Sequence, residues 1–356
     1  MSSQPSRSYG IDLLRGVACL AVVFFHYVSR GPMMGWMPSS PLPMLEPLAR
    51  YGFLGVHLFF MISGYVILMS ALGRTPRAFV ASRVSRLYPA LWAAATLTML
   101  TVLLRGDSRF LVSWTDWAWN MTLIPQYVGS PYIDGAYWSL AVELQFYILV
   151  WLALMTGMSK RIDLLLWCWL GLSLLDAVRP IDPAERWLAA NWAPLFTIGA
   201  ATFMAGRSGW TRQRMLMVAS SGLLALWHVA HELRRMSVDM GDNTPGFAVV
   251  AALLLVAIVT FMLFATGTLE LPQTRWATLP GVLTYPLYLV HQVMGYVAYS
   301  IAVESGVAPL AAIALVLAGA VAISMAIHHF VERPLSPHLR RIVAPPSPVV
   351  IQSPTA

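Results

Sequence analysis

The sequence predicts an all-α polytopic membrane protein with about ten transmembrane helices and both termini in the cytoplasm. Three observations predict it. The chain is 58% hydrophobic and only 11% charged over 356 residues, whereas soluble domains carry about 25% charged residues. Its mean hydropathy is +0.66. It also contains repeated apolar runs of the roughly 20 residues needed to cross a bilayer as a helix.

Ten such runs lie at about 11–29, 52–72, 87–104, 138–157, 163–179, 188–205, 215–231, 246–266, 281–301 and 308–330. The first has the position of a signal peptide. Asp12 and Arg15 interrupt its start, however, and no small-residue cleavage site follows, so it reads as a retained helix. Placing the N-terminus inside puts 15 of the 23 basic residues on that side, with four arginines in the stretch 73–86. Arginine and lysine favour the cytoplasmic face. The stretch 105–137 is rich in Trp and Tyr, which suits an interfacial belt and also the stacking of a sugar. Three segments result: a short tail (1–8), a membrane domain (9–335) and a Pro/Ser-rich tail (336–356) expected to be disordered.

The pI near 9.6 does not indicate nucleic acid, because 22 of the basic residues are arginines spread thinly along the chain. Cys19 and Cys168 both sit in apolar runs, so neither a disulfide framework nor a metal site is expected. "HVAHE" (228–232) matches neither H-E-x-x-H nor H-x-x-E-H.

Chemistry is expected where polar groups enter the apolar runs, because an ionisable group at membrane depth is costly and usually functional. In the first run Arg15 and His26 are eleven residues apart, which places them on one helix face about 16 Å apart, with Asp12 on the same side. His26 also reads as a neutral imidazole bonded to a neighbouring helix. Arg83 and Arg86, one turn apart, can grip a phosphate or serve simply as topology arginines. In "WSLAVELQFY" (138–147), Ser139, Glu143 and Tyr147 recur every four residues and converge on one face. A carboxylate near an imidazole can orient it and stabilise its charged form, so Glu143 is expected opposite His26 or Arg15. His291, in "YPLYLVHQ", is expected to order the late helices.

Taken in order, Arg15-x10-His26, "FFMISGY" (59–65), Arg83-x-x-Arg86, "WSLAVELQFY", "YPLYLVHQ" (285–292) and "VERP" (331–334) resemble the acyltransferase-3 family of integral-membrane acyltransferases. The resemblance spans about residues 9–335. It implies a bacterial inner-membrane enzyme moving an acyl group from cytoplasmic acyl-CoA, commonly acetyl-CoA, to a hydroxyl of a cell-surface or exported glycan. Some relatives act on macrolide-like or other small molecules. It assigns His26 as catalytic with Glu143, as general base or transient acyl carrier. Arg15 becomes the motif partner of His26 on the thioester side, Arg83 and Arg86 engage the CoA, and Asp12, Ser139 and Tyr147 support the site. The chain departs from many relatives at Leu144, His57 and Ser82. The first replaces a second acid and discourages a paired-acid mechanism. A polytopic transporter is the reading from a different class, because polar residues at mid-membrane also mark substrate pathways.

Overall fold

The computed structural model describes residues 9–270 and 279–344. The tail 1–8, Arg275 and residues 345–356 lie outside them. Among the described residues the fold is all-α, and every predicted run is occupied by helix: α1 (Tyr9–Phe24), α2 (Leu54–Ala71), α3 (Pro76–Arg105), α4 (Tyr137–Met155), α5 (Ile162–Val178), α6 (Ala193–Ser208), α7 (Arg212–Met240), α8 (Phe247–Ala265), α9 (Leu279–Val290) with α10 (Val293–Glu304), and α11 (Pro309–Ile327). Among the described residues seven helices are long and apolar enough to cross a membrane singly. An eighth span arises if α6 is joined to the short helix Asp182–Leu188, from which it bends by 46°.

Three boundaries differ from expectation, each for a local reason. Helix α3 starts at Pro76 rather than near 87, because Thr75 caps it through Ala78 N at 3.2 Å and Pro76 fits the first turn. At 30 residues it is ~45 Å long and outruns the ~30 Å hydrocarbon core. Arg77, Arg83 and Arg86 therefore ride on its first turns rather than in a loop. The expected disordered tail begins as a helix, α12 (Arg333–Val343), which is tied to α3 by Arg77 Nε donating to the Val343 carbonyl at 2.7 Å. The run 281–301 is not one helix: it breaks at His291–Gln292.

That break has to be chemically sealed, since unpaired backbone groups in a membrane cost several kcal/mol each. Side chains from other elements do this. Tyr27 donates to the carbonyl of His291, Tyr137 donates to that of Leu289 at 3.2 Å, and Asp134 accepts from Val293 N at 2.9 Å.

Lipid supplies little hydrophobic drive between helices, so close packing of small residues matters instead. Helices α2 and α6 cross backbone to backbone. A Cβ on Gly64 would strike the Phe196 carbonyl, and one on Gly199 would strike that of Met61. Helix α1 also packs against both α2 and α9, and these helices frame the site.

Candidate active site

The predicted residues divide between two cavities. The first, of about 110 Å³, lies between α1, α2, α3, α4 and α9 and is lined by Arg15, Ser63, Arg83, Arg86, Ser139, Glu143, Tyr147 and Tyr288. The second, of about 220 Å³, contains His26, Arg30, Trp36, Trp138, Glu232 and Gln292. Tyr288 lines both, and its hydroxyl lies 2.7 Å from Ser139 Oγ. Tyr288 and Ser139 thus form a polar partition between the two spaces.

In the first cavity three guanidinium groups face one carboxylate. Arg15 carries Asp12 at 3.5 Å on its own helix turn. Arg83 lies over the Tyr147 ring at 5.6 Å, and its Nε is buried without a hydrogen-bond partner among the described residues. Arg86 lies over the Tyr285 ring at 5.4 Å and is drawn at 3.7 Å to Glu332, the acid of "VERP". The π-helical turn His328–Glu332 buries that acid and bonds it to His328 at 2.7 Å. Glu143 accepts from Ser63 at 2.8 Å and from Tyr147 at 2.9 Å, so the four-residue spacing does bring Tyr147 onto Glu143. Ser139 turns instead to Tyr288. The cavity is arginine-walled, and Arg83 Nε is a buried donor without a partner among the described residues, a setting that suits an anion.

The second cavity is organised by the end of α1. There the helix widens into a π-helical segment, Phe25–Arg30, a distortion frequent at functional sites. The hydrogen-bond partner of buried His26 is His291, Nδ1 to Nε2 at 2.9 Å, rather than Glu143. His291 Nδ1 lies 2.8 Å from the carbonyl of Tyr288. Gln292 is 5% exposed, and its Oε1 has no hydrogen-bond partner among the described residues. Glu232, the acid of "HVAHE", pairs with His57 at 3.1 Å and lines a further cavity with His228 and His231. His291, expected only to order the late helices, bonds His26, and Gln292, Tyr288 and Glu332 are further candidate residues that the sequence did not single out. All belong to the motifs "YPLYLVHQ" and "VERP", whose presence was the only signal for them.

Residues 8–329 match the family described as "Acyltransferase domain". Among curated proteins the chain is similar to the "Putative peptidoglycan O-acetyltransferase YrhL" of Bacillus subtilis, 32% identical over 42% of this chain and 24% of that one. It is 31% identical to the "Putative membrane-bound transacylase BcsY" of Komagataeibacter xylinus over 45% and 41% of the two chains. It is 32% identical to the "Peptidoglycan O-acetyltransferase OatA" of Listeria monocytogenes over 49% and 29%. The matched regions span between 24% and 41% of those relatives' length. No solved structure matches at a significant level. The match covering nearly the whole chain places this protein in the acyltransferase-3 family of integral-membrane acyltransferases.

Proposed function

We propose that this protein is a membrane O-acyltransferase that takes an acyl group from acyl-CoA in the arginine-walled cavity and delivers it to a hydroxyl held beside His26. One observation carries the reading: two cavities, one cationic and one built around an imidazole, meet at Tyr288 and Ser139. Arg83 and Arg86 would take CoA phosphates, with the acyl-bearing arm directed along the cavity toward the partition. His26 Nε2 would accept the hydroxyl proton as the oxygen attacks the thioester carbonyl. The carbon–sulfur bond then breaks, and the proton passes to the departing thiolate. Glu143 would hold Tyr147 and Ser63 in place among the arginines.

Orientation belongs to the same proposal. Arg77 bonds the end of α12, and Arg340 and Arg341 line a surface cavity with Ser85, next to Arg86, so this arginine-rich end is read as cytoplasmic, in a bacterial inner membrane. The second cavity then faces the loops 31–53 and 106–136. The acceptor is read as a glycan hydroxyl because two relatives are named for peptidoglycan O-acetylation. Trp36 and Trp138 offer ring faces to a sugar, and Gln292 Oε1 offers an acceptor to its hydroxyls. The test is consumption of acetyl-CoA by the purified protein in nanodiscs, with and without peptidoglycan fragments. Ester formation that disappears in His26→Ala supports the reading; no CoA release from wild-type protein under any acceptor sinks it.

A further inference from the structure

We infer that His291 is the positioning residue of this site: it holds His26 in the single tautomer whose free lone pair, on Nε2, receives the acceptor's proton. The inference rests on the reading of His26 as the base, but its first test does not.

The hydrogen-bond chain leaves one solution for neutral rings. A carbonyl oxygen only accepts, so His291 Nδ1, 2.8 Å from the Tyr288 carbonyl, must carry hydrogen. A neutral imidazole has one N–H, so His291 Nε2 is a lone pair. His26 Nδ1 sits 2.9 Å away, too close for two lone pairs to face each other, and so carries the second hydrogen. The remaining lone pair of His26 is therefore on Nε2. Both imidazoles are buried, so little water is at hand to exchange these roles. The chain ends on a carbonyl, so it orients His26 but drains no proton from it.

His291 can do this because the chain breaks around it. Tyr27 donates to the His291 carbonyl, and Asp134 accepts from Val293 N at 2.9 Å, which clamps the backbone on both sides of the break. Tyr27 is the immediate neighbour of His26 on the π-helical turn, so one segment supplies both the base and the clamp on its positioner. During transfer His26 gains a proton at Nε2 and keeps its Nδ1–H bond to His291, now charge-assisted. It then returns the Nε2 proton to the thiolate sulfur.

The tautomers are read directly from protein labelled with 15N-histidine in nanodiscs, by long-range proton–nitrogen correlation. Signals are assigned by their loss in His26→Gln and His291→Gln. Both rings are expected as Nδ1–H in the wild type. Finding His26 as the Nε2–H form overturns the inference, whatever the protein's activity proves to be. Turnover supplies the second arm. His291→Leu should lower kcat by roughly 10²–10⁴-fold, the range seen when a general base is lost or misoriented, with acyl-CoA KM within about twofold. His291→Gln, whose amide oxygen can accept from His26 Nδ1, should recover at least tenfold of that loss. If Leu and Gln variants fall equally, His291 is not a positioner. Should the Leu variant not fold, the wild-type spectrum and the Gln variant still decide. If no acyl transfer is found at all, the proposed function fails while the tautomer result stands separately.

Discussion

Arg83 holds its guanidinium 5.6 Å above the ring of Tyr147, whose hydroxyl in turn donates to Glu143 at 2.9 Å. The guanidinium also donates to Ser82 at 2.8 Å, and its Nε has no hydrogen-bond partner among the described residues. Such a group is poised for an incoming anion. Replacing Arg83 or Arg86 with Ala is expected to raise the acyl-CoA KM by roughly ten- to a hundredfold, the worth of a charge-assisted phosphate contact of about 1.5–3 kcal/mol. Steady-state kinetics at saturating acceptor check it. An unchanged KM in both variants would remove these arginines from the thioester site.

Glu143 is held by Ser63 and Tyr147 rather than by His26, and this changes what its mutation should do. Glu143→Gln and Tyr147→Phe touch the same hydrogen bond, so their effects on acyl-CoA binding are expected to be non-additive. The double variant should lose little more than the worse single variant. A double-mutant cycle in which the losses multiply would show that the two side chains act independently.

Asp134 lies in the turn before α4, wholly buried. Burial pushes its carboxyl from the ordinary 3.8 up to about 7, against the opposing pull of the Val293 and Ala136 N–H groups. A carboxyl with a raised folded-state value binds its proton more tightly folded than unfolded. Its contribution to stability is therefore full below about pH 4 and declines as pH rises through about 7. Thermal unfolding of wild-type protein between these limits should show that decline. Asp134→Asn should flatten it, with an overall loss of about 1–3 kcal/mol from the backbone hydrogen bond an amide cannot reproduce. An unaltered pH slope would clear Asp134 of responsibility.

Orientation is open to labelling. Cys19 is buried, so replacing the exposed Cys168 with Ala gives a quiet background. In that background Arg74→Cys should react with an impermeant maleimide only when the cytoplasmic face is open, and Ser108→Cys only from outside. The reverse pattern would invert the bundle and with it the assignment of the thioester cavity.

The sequence alone determined the helices and most of the candidate residues. Runs such as 246–266 announce themselves because hydropathy is a property of local composition. The four-residue recurrence of Glu143 and Tyr147 predicts their contact because helical geometry joins neighbours on one face. Asp12 and Arg15 meet for the same reason. Tertiary structure alone decided which residues serve His26. His291 is 265 positions away, and only the packing of α9 against α1 brings the rings together. Glu332 meets Arg86, 246 positions earlier, only because the turn His328–Glu332 packs against α3. The π-helical end of α1 and the break at His291–Gln292 were equally invisible, since neither is favoured by local propensity. Both are irregular backbone, and such backbone persists in a membrane only where distant side chains satisfy its hydrogen bonds, as Tyr27, Tyr137 and Asp134 do here.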